Sequence, residues 1–381
     1  MTRILPLLLI NQFVSFFYFI GFWPTLRELK GKLFFSIYYS LFFVSLVAGA
    51  IGNENEDTRI FLTEIAVGVA VLTVKFLIFI WKQNRILHLL NRICVCSIQD
   101  DEDLAVYNRK LSGLIRISIL ITIASLGCAI EMGVVPLFRS EKALIMEVGF
   151  PLDYRNSEIA FYIADIFVLT EVLICLSTLL CSVIIWYLLL SCSLRYEVLG
   201  SEMKKMGRIN AATEGNNPSK IQAQKIFFQD LKSSIDSHLR ITELTMDLES
   251  FFSMFFLLQF ATSGLCICGS VYCLAFDVGD DWFERSIHLT MVCYYISELF
   301  MITYFGNEIM LTSDRLSYSL FESDWTGQPQ AVKMSIIIFG EYLKQPHVFV
   351  IGKLYSLTLE TFTQILNSAY SMFNILKNLH N

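Results

Sequence analysis

No catalytic signature interrupts this chain of 381 residues. H-E-x-x-H, the P-loop, G-x-G-x-x-G and the nucleophile elbow are all missing, so no enzymatic activity is expected. Histidine is scarce, and His88, His238, His288, His347 and His380 are scattered. A metal centre would therefore need folding to gather them, and neither a metal nor a cofactor is expected. The cysteines offer no extracellular disulfide pair. Cys128, Cys175, Cys181, Cys266, Cys268, Cys273 and Cys293 lie inside apolar runs, with Cys94, Cys96 and Cys192 at or near run ends. No N-x-S/T sequon occurs, which is neutral where external loops are short. A net charge of −6 is small for this length and gives no footprint for nucleic acid. No internal repeat stands out, and no cleavable leader is expected, since bulky Phe22-Trp23-Pro24 follows the first apolar stretch.

What is abundant is apolar surface. Hydrophobic residues make up 55% of the chain, above the roughly 45 to 50% of soluble domains. Apolar runs long enough to span a bilayer occupy residues 33–52, 60–81, 114–138, 158–191, 251–276, 286–311 and 352–379. The expected fold is an all-α transmembrane bundle of seven helices. The fourth run exceeds what a bilayer needs and should tilt or project. Residues 4–22 are read as an interfacial helix, with Phe13, Phe16, Phe17 and Tyr18 at the headgroups, rather than as an eighth span.

Loop charge orients the bundle, because lysine and arginine collect on the cytoplasmic side. Twenty of them fall on the side of the N-terminus and six on the other. Lys75, Arg116 and Lys353 lie within the runs, and Lys75 is expected to snorkel toward the cytoplasmic end. The N-terminus is thus read as cytoplasmic and the C-terminus as extracellular. The largest cytoplasmic loop, 194–249, breaks at 210–220 and is helical on either side, and 331–342 forms a shorter amphipathic helix. The expected division is 1–32 as an N-terminal segment, 33–311 as six spans, 312–346 as a cytoplasmic anchor and 352–381 as the last helix with a short tail.

Two groups of residues stand out. Glu131, Asp165 and Glu171 lie in the outer halves of spans and Glu298 near the middle of the sixth, where a carboxylate is costly unless it faces protein or water. Around them are Cys128, Met132, Tyr162, Ile166, Phe167, Met291, Tyr294 and Tyr295, a mixture suited to a small-molecule pocket. Helix-to-helix hydrogen bonding would explain the same residues. The second group is a polar stripe on the last run. At 100° per residue Glu360, Gln364, Ser368, Ser371 and Asn378 share about a third of the circumference, together with Ile375 and Leu379. Such a stripe could pack against neighbouring helices through Asn367, Ser368 and Asn374. It spans the full bilayer depth, however, which favours a pore wall built from several copies, with Ile375 and Leu379 as apolar rings that gate by dewetting.

The chain resembles the insect odorant receptors. The resemblance is carried by Gly21-Phe22-Trp23-Pro24, by Phe305-Gly306-Asn307 with Ser313 and Trp325, and most strongly by Leu357-Thr358-Leu359-Glu360-Thr361-Phe362 through Ser368-Ala369-Tyr370-Ser371-Met372-Phe373. It implies a ligand-gated, non-selective cation channel in a sensory-neuron dendrite membrane, a heterotetramer with a shared co-receptor subunit. It also implies a volatile-ligand pocket between helices two, three, four and six, a pore lined by the last helix and a cytoplasmic anchor. The gate would fall on Ile375 and Leu379 with Asn378 beside them. The related gustatory receptors carry a T-Y-x5-Q-F run that is missing here, and the long second cytoplasmic loop of a co-receptor is missing too, so the chain reads as a tuning subunit. A gustatory-type homotetramer is the nearest alternative. A G-protein-coupled receptor would need the opposite orientation, and a transporter would show discontinuous helices and pseudo-symmetry.

Overall fold

A chain crossing hydrocarbon must satisfy every backbone N–H and C=O internally, and uninterrupted apolar runs do so as helices. The computed structural model describes residues 14–15, 17–19, 21–23, 29–94, 101–138, 144, 146–151, 153–154, 157–207, 220–276 and 282–380. The helices are α1 (Leu29–Gly52), α2 (Glu56–Trp81), α3 (Gln83–Cys94), α4 (Asp101–Phe138), α5 (Glu158–Lys205), α6 (Lys220–Ala275), α7 (Trp282–Phe321), α8 (Gln330–Leu343) and α9 (Leu359–His380). A two-stranded antiparallel hairpin, β1 (Val350–Ile351) and β2 (Tyr355–Ser356), precedes α9.

Six of these helices, α1, α2, α4, α5, α6 and α7, are long and apolar enough to cross a membrane. With 22 residues, α9 is also long enough, since a helix of that size spans about 33 Å. Its polar stripe keeps its hydropathy below that of the others. The central scaffold is α5 packed along α7, flanked by α2, α4 and α6.

Three helices outrun the bilayer. α5 has 48 residues, α6 has 56 and α7 has 40; at 1.5 Å per residue these are about 72, 84 and 60 Å, against a hydrocarbon core of about 30 Å. Ser157 caps the N-terminus of α5 by accepting from the Ala160 amide, and Lys204 and Lys205 in its last turn complement the helix dipole. The excess length forms a helical block with α3 and α8. In α3, Ile86, Leu89, Leu90 and Ile93 recur at helical spacing and all are buried. Arg195 donates to the Arg92 and Ile93 carbonyls, closing off the end of that helix. In α8 the same spacing buries Val332, Ile336, Phe339 and Leu343, and Gly340 lets the Phe321 ring approach to 2.6 Å from where a Cβ would stand.

Two expectations change. The last helix begins at Leu359 rather than at residue 352, because Gly352 and Lys353 both adopt positive φ, 56° and 61°, and turn the chain into the hairpin. Ser253 on α6 holds that turn by donating to the Val350 carbonyl and accepting from the Gly352 amide. Most of residues 4–22, including Phe13 and Phe16, lies outside the described residues. Of those described, Phe17 is not at an interface but buried against Phe22 and Trp23, whose indole donates to the Phe79 carbonyl at 3.0 Å.

Candidate ligand cavity and polar helix

An apolar cavity of about 160 Å³ lies between α1, α2, α4, α5 and α7. Helical phase explains its walls: Ile65, Val69 and Leu72 repeat at one-turn spacing on α2, Ser125, Ala129 and Met132 on α4, and Val172, Cys175, Leu176 and Leu179 on α5. Ile287, Thr290, Met291, Tyr294 and Tyr295 close it from α7. Gly68 admits the Tyr295 hydroxyl, which stands 2.1 Å from the position a Cβ would occupy. Its volume is close to that of the ~150 Å³ apolar cavities that take up benzene.

The ten pocket residues named from sequence divide accordingly. Met132, Met291, Tyr294 and Tyr295 line the cavity. Tyr162 and Ile166 do not: they are 49% and 59% exposed on the outer surface of α5, because they sit 80 to 120° around the helix from Val172 at ~100° per residue. Phe167 packs instead on Tyr38 and Phe150, with ring centroids 5.7 Å from each. The side chains of Cys128 and Glu131 lie outside the described ones. The second helix was expected in the wall, but its lining residues were not named because they are ordinary aliphatics; only their one-turn repeat opposite Tyr294 and Tyr295 could have suggested them.

Glu298 is withdrawn from the cavity into a buried ion pair. Lys75 Nζ lies 2.8 Å from Glu298 Oε1 and donates to Ser182 Oγ at 2.7 Å, with the two charged side chains 1% and 0% exposed. Lys75 therefore does not snorkel. Its partner arrives from α7, and the Phe255 ring covers it at 5.6 Å. Leu72 and Tyr294, one turn away on the respective helices, line the cavity, so the pair forms its floor. Asp165 and Glu171 are also buried, and neither carboxylate oxygen of Glu171 is hydrogen-bonded.

At the other end of the cavity Glu64 meets Ser270, Cys273 and His288. Of the sequence-named histidines, His288 is thus brought beside a carboxylate and a thiol, the one combination with metal-ligand chemistry among the described residues. Nothing local in sequence points to it, since the three residues sit on three helices.

The last helix buries one face and exposes the polar stripe together with Tyr370, Met372 and Leu376. Thr361 and Ala369 are buried, and Phe362, Ile365, Leu366 and Phe373 are half-buried against α6 and α7. Glu360, Gln364, Ser368, Ser371, Ile375 and Asn378 are all exposed on the single chain, and the side chain of Leu379 lies outside the described ones. Ser368 and Ser371 donate to the carbonyls of Gln364 and Asn367, and Gln364 donates to Glu360. Gly306 on α7 sets where this helix starts: a Cβ there would stand 2.3 Å from Leu357 Cγ and 2.6 Å from its carbonyl oxygen.

The family model described as 7tm Odorant receptor matches residues 60–370. Odorant receptor 94a of Drosophila melanogaster is 23% identical over 325 residues, 84% of this chain and 79% of its own length. Odorant receptor Or2 of Anopheles gambiae is 24% identical over 182 residues, 47% of this chain and 46% of its own. The olfactory receptor OR5 of Machilis hrabei superposes with a TM-score of 0.81 at 13% identity, covering 96% of this chain and 97% of that one. The same receptor in complex with eugenol gives 0.75 at 14% identity, over 94% and 93%.

Proposed function

Because the chain belongs to the insect odorant receptor family, a family of receptors and not of enzymes, we propose that it is the odorant-tuning subunit of a ligand-gated, non-selective cation channel. A small volatile enters the apolar cavity between α2, α4, α5 and α7, and α9 lines the pore in a heterotetramer with a shared co-receptor subunit. The setting is the plasma membrane of a sensory-neuron dendrite, with the N-terminus cytoplasmic, the C-terminus extracellular and the block formed by α3, α8 and the long helix ends as the cytoplasmic anchor between subunits.

The observation that carries this reading is the exposure of the α9 stripe. A helix of bilayer length with Glu360, Gln364, Ser368 and Ser371 facing outward cannot lie against lipid at that cost. One helix encloses nothing, so its polar face calls for copies around an axis. Cations then enter near Glu360, pass the wall of Gln364, Ser368 and Ser371, and meet a constriction at Ile375 and Leu379 beside Asn378. Asn367 and Asn374, at the edge of the arc, face neighbouring subunits.

The cavity gives the ligand class. Its walls are aliphatic and aromatic with a few hydroxyls, at Ser125, Thr290, Tyr294 and Tyr295, so the ligand is a small apolar molecule with at most one or two hydrogen-bonding groups. Binding wedges α7 against α2 and α5, and α7 passes the movement to α9 through the Gly306 crossing. Whole-cell recording with and without a co-receptor across a panel of volatiles tests the scheme. Current that needs both subunits and an odorant supports it. Current from the chain alone supports the homotetrameric alternative, and no current under any condition refutes the channel.

A further inference from the structure

Glu64 on α2, Cys273 on α6 and His288 on α7 converge where α7 begins, one turn beyond the cavity. Gly68, four residues after Glu64, and Ile287 and Met291, flanking His288, all line that cavity. One donor atom from each of the three residues lies within 4.8 Å of the others. His288 Nδ1 is 3.1 Å from Glu64 Oε2, and Cys273 Sγ is 3.9 Å from the same oxygen. All three are buried.

Pairwise bonding accounts for the carboxylate, which accepts from Ser270 and from the Cys273 thiol, but not for the imidazole. Neither nitrogen of His288 makes a hydrogen bond of acceptable geometry, although the side chain is only 1% exposed. Buried polar atoms are nearly always partnered, and here a carboxylate, an imidazole and a sulfur approach one another without the imidazole bonding either. A shared centre resolves the conflict. Around a tetrahedral ion with bonds of about 2.0 Å to N and O and about 2.3 Å to S, donor atoms stand roughly 3.3 to 3.6 Å apart, and the two observed separations bracket that range.

We propose that Glu64, Cys273 and His288 bind one divalent cation of the zinc class, clamping α2, α6 and α7 together at the mouth of the cavity. The mixed S, N and O donor set selects such an ion over calcium or magnesium, which take oxygen ligands. Ser270 donates to the other carboxylate oxygen, Oε1, and fixes the orientation of Glu64 as outer partners of metal ligands do. Three protein ligands leave a fourth position for water or for a coordinating group on a small ligand. Binding of the ion is independent of whether the chain conducts.

The test is titration of the purified full-length chain with Co²⁺ as a spectroscopic stand-in, followed by displacement with Zn²⁺. The expected result is one Co²⁺ per chain, a thiolate-to-cobalt charge-transfer band in the near ultraviolet and reversal by Zn²⁺. Cys273→Ser removes the band, and His288→Ala weakens Zn²⁺ binding by about tenfold or more. His288→Cys, which restores a ligand, keeps binding, and Cys293→Ser, at an exposed cysteine, changes neither reading. A wild-type chain without the charge-transfer band, or a Cys273→Ser chain that retains it, overturns the assignment. The first of these is read on the unaltered protein, so misfolding of a variant does not shield the proposal.

Discussion

Replacing Lys75 with methionine isolates the energetics of the cavity floor. The ammonium stands 2.8 Å from Glu298 Oε1 and both side chains are essentially inaccessible. At that separation and an effective dielectric near 20 the Coulomb attraction is about 6 kcal/mol. Desolvating two ions costs several kcal/mol each, so the net worth of the pair is small. Removing one partner does not return the desolvation of the other. Glu298 stays between α2, α5 and α7 with Oε2 already lacking a hydrogen bond. Lys75→Met should therefore cost about 3 to 5 kcal/mol, and Glu298→Gln, which strands the ammonium, should cost a similar amount. The double variant removes both charges and should fall within about 1 kcal/mol of the parent, a coupling of about 5 kcal/mol or more that exceeds the usual range of roughly 0.5 to 3 kcal/mol because each single variant strands a buried charge. The assay is the thermal midpoint of monodisperse receptor in detergent, followed by fluorescence-detected size exclusion and supported by surface labelling of expressing cells. A double variant whose losses merely add, or a Lys75→Met receptor as stable as the parent, would refute the buried-pair argument.

The remaining predictions follow the path from cavity to pore. Gly68→Ala drives a methyl group into the Tyr295 hydroxyl; odorant dose-response should shift by about tenfold or more, the discrimination one carbon gives in an apolar pocket, with surface expression retained. Gly306→Ala should lower the yield of folded receptor, since its Cβ meets Leu357 at 2.3 Å and a backbone oxygen at 2.6 Å, and overpacking of this kind costs about 1 to 3 kcal/mol; a full yield would mean that the crossing has slack. Ile375→Ser should raise current in the absence of odorant when co-expressed with a co-receptor, and unchanged basal current would count against the gate. Burial holds the His347 imidazole below its usual range, and Glu249 Oε2, 3.5 Å away, is not aligned to bond it. The folded state thus takes up the proton later than the unfolded chain does. The stabilising effect is complete above about pH 6.5 and is lost as pH falls below it. The thermal midpoint should drop between pH 7.5 and 5.5, and His347→Gln should flatten that drop.

What could be read from sequence was whatever a single helix encodes by itself. The six strongly apolar spans, the projection of the fourth, the amphipathic helix before the last span and the two faces of α9 all follow from run length and phase within one segment. Relations between segments were not legible. Lys75 looked like a snorkelling side chain because its partner is 223 positions away, and Tyr162 and Ile166 looked like pocket residues because composition carries no helix phase. The α9 boundary failed for a different reason, since Gly352-Lys353 reads as an ordinary helix start unless one knows that Ser253 and Leu257 of α6 lie against the turn.

The same distinction explains why α9, the least hydrophobic of the long helices, carries the functional argument. An apolar helix satisfies hydrocarbon and says nothing about its neighbours. α9 buries one face against α6 and α7 and leaves the described residues of its polar face exposed on the single chain. A lone subunit would expose to lipid the groups that membranes tolerate least, and four subunits turning those faces inward would surround them with water. Under the proposed scheme assembly and permeation are linked: the surface that makes the lone subunit unfavourable in lipid is the surface that would line the pore. Charge removal on it, as in Glu360→Gln, would consequently be felt in ion passage more than in folding of the single chain, where the exposed Glu360 carboxylate accepts from Gln364 one turn above.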